Sequence, residues 1–187
     1  MHTGRIEVIC GGMFAGKTEE LTRRLRRAII GKQLVFVFKH VLDDRYDRKD
    51  LTDHNGNKLP GIPVRSVEEI HSRMERELML DLGTRVVVGI DEVQFFQESI
   101  VNVVEGLAGK GCRVIVAGLD QDYRGRPFGP IGSLLAVADD VKKVHAVCAV
   151  CSEMACKTFR LSGGEDTIQP GAAKEYEPRC RECFNKG

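Results

Sequence analysis

Short apolar runs alternate along the chain with segments in which hydrophobic residues recur every three or four positions. The runs end at glycine or at charged residues, which predicts buried strands at residues 5–10, 33–39, 86–90 and 113–119. The spacing between them predicts amphipathic helices at residues 17–30, from 66 to about 78, and from 100 to about 109. Because these connections are too long for hairpins, the strands are expected to lie parallel in one sheet.

The pattern is interrupted once and then resumes. Residues 40–63 are charged, contain Asn55-Gly56-Asn57 and two prolines, and have no apolar periodicity, so they are expected to form a long loop or a hairpin. A short helix at 131–138 and a strand near 141–147 follow. The alternation therefore predicts an α/β domain over residues 1–146, with a separate unit at 147–187.

A glycine-rich motif lies between the first predicted strand and the first predicted helix, and it fits the pattern G-x-x-x-x-G-K-[ST]. Glycines allow backbone N–H groups to surround phosphate oxygens, and the helix N-terminus adds the positive end of its dipole. Lys17 would reach the β- and γ-phosphates, and Thr18 would offer its hydroxyl to Mg²⁺. The predicted nucleotide-binding loop consists of Gly11, Gly12, Met13, Phe14, Ala15, Gly16, Lys17 and Thr18.

Two acidic residues follow the third core strand. Carboxylates at that position face the phosphate loop across the carboxyl edge of the sheet, so Asp91 is a candidate magnesium ligand. Glu92 is the candidate catalytic base, because transfer of a γ-phosphoryl group to a hydroxyl benefits from a base beside that hydroxyl. Adjacent acids alone would also fit a solvated turn, and the phosphate loop upstream favours the catalytic interpretation.

Four of the seven cysteines form two C-x-x-C pairs separated by 28 residues, 152–179. Two such pairs favour a tetrahedral Cys₄ zinc site over a redox pair, and a shell of four thiolates makes the metal structural. The predicted zinc ligands are Cys148, Cys151, Cys180 and Cys183. The other three cysteines, predicted to be core thiols, are Cys10, Cys112 and Cys156.

Composition and charge restrict the class of protein. The chain has 187 residues, 42% hydrophobic, and 28 basic against 27 acidic side chains, which indicates a globular protein without a general field for nucleic acid. Its apolar stretches are far shorter than the roughly 20 residues that span a bilayer, and the first ten residues lack a signal-peptide core. We therefore expect a cytoplasmic protein with no membrane or nucleic-acid partner.

Together these motifs resemble the thymidine kinase family, in its zinc-containing cellular and bacterial form (type II). The resemblance covers most of the chain and is far more specific than the phosphate loop alone. The matching segments are residues 11–18, the pair Arg45-Tyr46, residues 91–96, residues 118–123 and 126–129, both cysteine pairs, and residues 174–176.

The resemblance implies a fold and an activity. The fold would be a P-loop (RecA-like) α/β domain, a parallel sheet flanked by helices, followed by a small C-terminal Cys₄ zinc-ribbon and lasso domain. The activity would be transfer of the γ-phosphate of ATP to the 5′-hydroxyl of thymidine, and of deoxyuridine, with Mg²⁺, in pyrimidine salvage. A homotetramer and feedback inhibition by dTTP are also implied.

The resemblance assigns roles to individual residues, with Glu92 as the base. It adds to the ATP site, beyond residues 11–18, His54, Asn55, Gly56, Asp91 and Gln94. It implies a nucleoside site formed by Met13, Phe95, Leu119, Tyr123, Thr167, Ile168, Gln169, Pro170, Gly171 and Tyr176, in which residues 167–171 form a lasso over the base and zinc holds both ends of the lasso. Residues 169–172 depart from the family pattern, which leaves open how strictly thymidine is preferred over deoxyuridine.

Two other classes fit part of the sequence. The string at residues 91–94 and the basic run at residues 23–27 also fit a zinc-bearing P-loop ATPase acting on nucleic acid, although such motors generally need two α/β cores. A nucleotide-sensing scaffold would bind the nucleotide without phosphoryl transfer. Phosphorylation of a nucleoside separates the kinase from both alternatives.

Overall fold

The structure is a computed structural model that describes residues 3–41, 50–52, 58–79, 83–161 and 175–187. The strands are β1 (Arg5–Cys10), β2 (Leu34–His40), β3 (Asp50–Thr52), β4 (Lys58–Pro60), β5 (Ile62–Val64), β6 (Val86–Asp91), β7 (Arg113–Gly118), β8 (Asp140–Lys143), β9 (Ala146–Val147), β10 (Met154–Ala155), β11 (Lys157–Arg160) and β12 (Tyr176–Arg179). The helices are α1 (Lys17–Ile30), α2 (Val67–Leu78), α3 (Ile100–Gly109), α4 (Ile131–Val137) and α5 (Arg181–Asn185).

Six parallel strands form the central sheet in the order β5-β2-β6-β7-β1-β8. The predicted α/β class and the parallel arrangement are therefore confirmed. Because all six strands point the same way, the residues that follow β1, β6 and β7 come together at one edge of the sheet. That edge carries every candidate catalytic residue that the structure describes.

Helices cover both faces of the sheet. Successive side chains of a strand point to opposite faces, and both sets are apolar in the central strands, so both faces must be buried. In β7, Val114 and Val116 belong to the core shared with α2, α3 and α4, whereas Ile115 belongs to the core under α1. On α1, Leu21 and Leu25 are fully buried against the second of these cores. The predicted bounds of β1 and α1 agree with the structure, because glycines end both the strand and the helix.

Two predicted segments differ from the structure. Residues 58–60 and 50–52 pair as an antiparallel hairpin, but Ile62–Val64 forms the edge strand β5 and not a loop. A strand of three residues shows no periodicity, and Pro63 is tolerated because it lies at the sheet edge. The strand expected at 141–147 is divided, since β8 joins the central sheet while β9 pairs with β10.

No helix among the residues that the structure describes is both long enough and apolar enough to cross a bilayer.

A buried carboxylate connects β1 to its neighbours. Glu7 is 2% exposed and contacts the guanidinium groups of Arg24 at 2.5 Å, Arg113 at 2.6 Å and Arg5 at 2.7 Å. Burial would raise the pKa of Glu7, but the hydrogen bonds from Arg113 and Arg24 outweigh burial and lower that pKa below its usual value. Arg24 also pairs with Asp140, so this basic side chain of α1 contributes to an internal ion-pair network.

Replacing Glu7 by glutamine is expected to lower the free energy of unfolding by about 3 kcal/mol at pH 7, because the half-buried Arg24 and Arg113 lose the buried counter-charge that they share. Since the folded pKa is lowered, the stabilisation by Glu7 is complete above the unfolded pKa of about 4.3 and disappears as the pH falls through the folded pKa. Urea titrations of the wild type and of Glu7→Gln from pH 7 to pH 3 measure whether the difference between their free energies of unfolding decreases as the pH falls. Glu105→Gln, at an exposed position, should change stability by less than about 0.5 kcal/mol; a constant difference across the pH range would contradict the prediction.

Candidate functional site

The phosphate loop connects the end of β1 directly to the start of α1, as predicted. The α1 helix begins at Lys17, after Gly16 in the left-handed conformation. The Lys17 Nζ donates a hydrogen bond to the carbonyl oxygen of Gly12 at 2.7 Å, so the ammonium group lies over the loop. Backbone N–H groups at the start of a helix together with this ammonium are the donors that a phosphate chain requires.

The end of β6 lies beside the phosphate loop. The Oγ1 of Thr18 donates to the Oδ2 of Asp91 at 3.1 Å, which joins the loop to the carboxyl edge of the sheet. The other oxygen, Asp91 Oδ1, accepts the backbone N–H of Glu92 at 3.0 Å. Thr18 and Asp91 thus bring a hydroxyl and a carboxylate together, and both groups are ligands that Mg²⁺ accepts.

Glu92 follows in an unusual backbone conformation. Its φ of 53° and ψ of 41° are left-handed, a region that residues other than glycine rarely adopt. This turn ends β6 and starts a single 3₁₀ turn, Val93–Phe95. Glu92 is buried, with 6% of its surface exposed. A strained backbone turn thus carries a buried acidic residue, and such strain clusters at functional sites.

The loop after β7 forms the opposite wall. Asp120 pairs with the Nζ of Lys143 at 2.7 Å, and Lys157 donates to the Oε1 of Gln121 at 2.6 Å. Within the loop, Asp122 Oδ1 accepts the N–H groups of residues 124 and 126, both at 2.9 Å. These bonds connect the loop to β8 and β11, so the wall is shaped before any ligand binds.

Aromatic and apolar side chains occupy the space between these elements. Phe95 contacts Phe128 edge-on, with ring centroids 6.2 Å apart, and lies 5.9 Å from His40. Burial lowers the pKa of His40, which favours the neutral ring that packs here. Met13, predicted for both the ATP and nucleoside sites, is buried in the phosphate loop.

One guanidinium group lies between the two tyrosines of the predicted nucleoside site. The Cζ of Arg160 is 4.3 Å from the ring centroid of Tyr123 and 5.6 Å from that of Tyr176. Arg124 contacts Tyr123 as well, and its Nε donates to the tyrosine hydroxyl at 2.8 Å. The sequence does not reveal this contact of Arg160 with both tyrosines, because it depends on how β11 packs against the loop after β7.

A second unpredicted contact joins the C-terminal unit to the phosphate loop. The buried Oγ1 of Thr158, on β11, accepts the backbone N–H of Met13 at 3.0 Å. A Cβ at Gly12 would lie 3.3 Å from the same Oγ1. The β11 strand therefore packs directly on the loop.

The two cysteine pairs come together as predicted. The four sulfur atoms of Cys148, Cys151, Cys180 and Cys183 all lie within 4.8 Å of one another. Cys151 Sγ is 3.7 Å from Cys180 Sγ; thiolates at about 2.3 Å from a tetrahedral zinc are about 3.8 Å apart. The donor set and its spacing thus fit a metal ion.

Local backbone supports the cluster. Cys148 and Cys151 lie in the turn between β9 and β10, whereas Cys180 caps α5 and accepts the N–H of Cys183 at 3.4 Å. Desolvation favours the neutral thiol of Cys148, but backbone N–H groups directed at the sulfur outweigh it and lower its pKa to about 6. Hydrogen bonds with the sulfurs of Cys180 and Cys151 raise the pKa of Cys183 to about 12, so the metal-free cluster favours a thiolate at Cys148 and a neutral thiol at Cys183. A thiolate is the form of cysteine that binds metal.

The three other cysteines lie outside this cluster. Cys10 and Cys112 are each 1% exposed, and burial raises the pKa of both thiols, as expected of core residues. Cys156 is half-buried, directly before β11, and belongs to neither hydrophobic core, so its prediction as a core thiol is wrong.

Several predicted site residues lie outside the described residues: His54, Asn55, Gly56, the pair Arg45-Tyr46 and the lasso residues Thr167, Ile168, Gln169, Pro170 and Gly171. The ends of the predicted lasso are described. The N–H of Leu161 donates to the carbonyl oxygen of Glu175 at 2.8 Å, and β11 and β12 pair antiparallel behind that bond.

A phosphate loop between β1 and α1, an acidic strand end in contact with it, and a four-thiol cluster define a P-loop nucleotide-binding α/β protein with a C-terminal unit that could hold a metal ion. A comparison with solved structures supports the fold. An ATPase domain of known structure superimposes with a TM-score of 0.57 at 15% identity, covering 84% of this chain and 78% of that chain.

Sequence comparisons are more specific. The thymidine kinase family model matches residues 4–184. Thymidine kinases from two strains of Porphyromonas gingivalis are each 49% identical to this chain over 187 residues, which is all of this chain and 87% of each relative. The chain belongs to the thymidine kinase family and is a nucleoside kinase, a transferase. The family resemblance predicted from the motifs is confirmed.

Proposed function

We propose that this protein transfers the γ-phosphate of ATP to the 5′-hydroxyl of thymidine, with Glu92 as the general base. One observation carries the proposal: Asp91 contacts Thr18 of the phosphate loop, and Glu92, the next residue, presents a second buried carboxylate at the same edge. A base adjacent to the donor phosphates is what phosphoryl transfer to an alcohol requires.

The donor side of the site consists of residues 11–18. Lys17 and the N–H groups at the start of α1 would hold the triphosphate. Thr18 and Asp91 would hold Mg²⁺, which, when bound, neutralises charge on the β- and γ-phosphate oxygens. His54, Asn55 and Gly56 complete the proposed ATP site, whereas the side chain of Gln94, which the resemblance adds to that site, is buried between Glu92 and the Leu119 N–H.

The acceptor side brings the 5′-hydroxyl to Glu92. The hydroxyl oxygen forms a bond to the γ-phosphorus while the bond between that phosphorus and the ADP oxygen breaks in line. The hydroxyl proton passes to the Glu92 carboxylate and is later released to water. Because Glu92 is buried and held by a fixed turn, little reorientation of its backbone precedes the proton transfer.

The nucleoside would lie between the 3₁₀ turn and the loop after β7. Met13, Phe95, Leu119, Tyr123 and Tyr176 supply its walls, and residues 167–171 would close over the base. Deoxyuridine lacks one methyl group, which is worth about 1–3 kcal/mol in an apolar pocket. We therefore propose that deoxyuridine is a second, weaker substrate.

The four-cysteine cluster would hold a structural zinc ion, since four thiolates complete a tetrahedral shell and leave no position for water. Residues 147–187 would then form a zinc-binding and lasso domain attached to a nucleotide-binding domain at 1–146. The family resemblance further supports a cytoplasmic homotetramer that acts in pyrimidine salvage and is inhibited by dTTP.

A nucleoside panel tests the proposal. The purified protein is mixed with Mg-ATP and each natural pyrimidine or purine deoxynucleoside, and ADP and nucleoside monophosphates are followed by chromatography. We expect dTMP as the main product and slower formation of dUMP. Absence of product across the panel would contradict the proposal, and hydrolysis stimulated by DNA or RNA alone would favour the ATPase alternative.

A further inference from the structure

The buried side chain of Gln94 connects Glu92 to the opposite wall of the site. Gln94 is 3% exposed. Its Nε2 donates to the Oε2 of Glu92 at 2.5 Å, and its Oε1 accepts the backbone N–H of Leu119 at 3.0 Å. One amide group thus spans from the candidate base, after β6, to the first residue of the loop after β7.

The orientation of this amide follows from its partners. A backbone N–H can only donate, so the atom of Gln94 that faces Leu119 must be the oxygen. The NH₂ group then faces Glu92, whose carboxyl oxygen Oε2 accepts its hydrogen bond. Both ends of the amide are satisfied in this orientation, whereas a rotation of 180° would leave two donors facing each other at Leu119.

The surroundings leave Gln94 little room to move. A Cβ at Gly118 would lie 2.7 Å from the Oε1 of Gln94, closer than real Cβ atoms approach. A Cβ at Gly129 would lie 2.3 Å from the Gln94 carbonyl oxygen, and the φ of Gly129 is +53°. Glycine at both positions allows the end of β7 and the loop after it to pack directly against Gln94. This packing restricts the Gln94 side chain, which in turn is hydrogen-bonded to Glu92.

We infer that Gln94 is a positioning residue that fixes the carboxylate of Glu92 for proton transfer and connects it to the nucleoside wall at Leu119. This inference rests on the proposed function. A glutamate side chain has three rotatable bonds, and an N–H donor on one carboxylate oxygen selects the rotamer that faces the acceptor. Displacing a reacting group by about 1 Å costs on the order of 100-fold in rate.

The test is Gln94→Met, which keeps the length and volume of the side chain but removes both hydrogen bonds. We expect kcat for thymidine to fall about 10- to 100-fold, with the Kd of Mg-ATP unchanged within threefold. Gln97→Met, the same substitution at an exposed position three residues away, should retain wild-type kcat. Gln94→Leu provides a second variant, since its side chain can form neither the bond to Glu92 nor the bond to the Leu119 N–H. It too should lose kcat.

A double-mutant cycle distinguishes positioning from general structural support. In a Glu92→Gln background the group that Gln94 positions is no longer a base, so Gln94→Met should cost less than about threefold there. Micromolar enzyme and γ-³²P-labelled ATP keep the residual rates measurable. An undiminished loss in that background, or wild-type kcat in Gln94→Met, would overturn the inference. A wild-type protein without thymidine turnover, or a fully active Glu92→Gln variant, would instead refute the proposed function.

Discussion

Replacing Glu92 by glutamine is expected to lower kcat for thymidine by about 100-fold or more, the size of general-base contributions. The substitution keeps the shape of the side chain and removes only its ability to take the proton of the 5′-hydroxyl. Binding of Mg-ATP should be retained, because the substitution changes neither the phosphate loop nor the contact between Thr18 and Asp91. Steady-state kinetics together with calorimetric titration of Mg-ATP measure both effects.

A matched control is available six residues further along the chain. Glu98 is exposed, so Glu98→Gln makes the same chemical change outside the site and should leave kcat unchanged. Unchanged turnover in Glu92→Gln would show that another group accepts the proton.

Local sequence patterns predict the part of this site that lies within single segments. The phosphate loop, the acidic end of β6 and the cysteine pairs are each contained in a few consecutive residues, and the structure brings them to the expected places. The metal cluster can be predicted although many residues separate the two C-x-x-C pairs, because the spacing within each pair already matches a metal-binding turn.

The contacts that the sequence does not reveal all join distant segments. Thr158 and Met13 are 145 positions apart, and their bond depends on how the short strand β11 packs on the phosphate loop. Arg160 reaches Tyr123 for the same reason. Gln94 is visible in the motif beside Glu92, but its bond to Leu119 follows from β6 and β7 lying side by side. Short strands such as β5 and β11 carry too few residues for a periodic signal.

These long-range contacts give the C-terminal unit a physical role in the proposed reaction. The β11–β12 hairpin carries Thr158, Arg160 and Tyr176, which contact the phosphate loop and the nucleoside wall. The same hairpin leads into Cys180 at the start of α5. A metal at the cysteine cluster would therefore order residues on both the donor and the acceptor sides of the site.

Removing that metal is expected to raise KM for thymidine by about tenfold or more. Two or three pocket side chains would then be ordered only when the nucleoside binds, at about 0.5–1.5 kcal/mol each. By elemental analysis, Cys180→Ser should bind less than one zinc per chain, whereas the wild type is expected to bind one. Hydrogen exchange should accelerate at residues 157–160 and 176–179, and more weakly at Met13, which shares a hydrogen bond with Thr158.

Cys156→Ser separates the metal site from a general effect of losing a thiol. Cys156 is half-buried and lies next to β11 but outside the four-sulfur cluster, so its serine variant should keep one zinc and the wild-type KM. Treatment of the wild type with a chelator should reproduce the Cys180→Ser kinetics, and added zinc should reverse them. If the zinc-free wild type instead keeps its KM and its hydrogen exchange at residues 157–160, the prediction is contradicted. The β11–β12 hairpin would then be ordered by its own packing, and the thiol cluster would contribute nothing to the geometry of Tyr176 and Arg160.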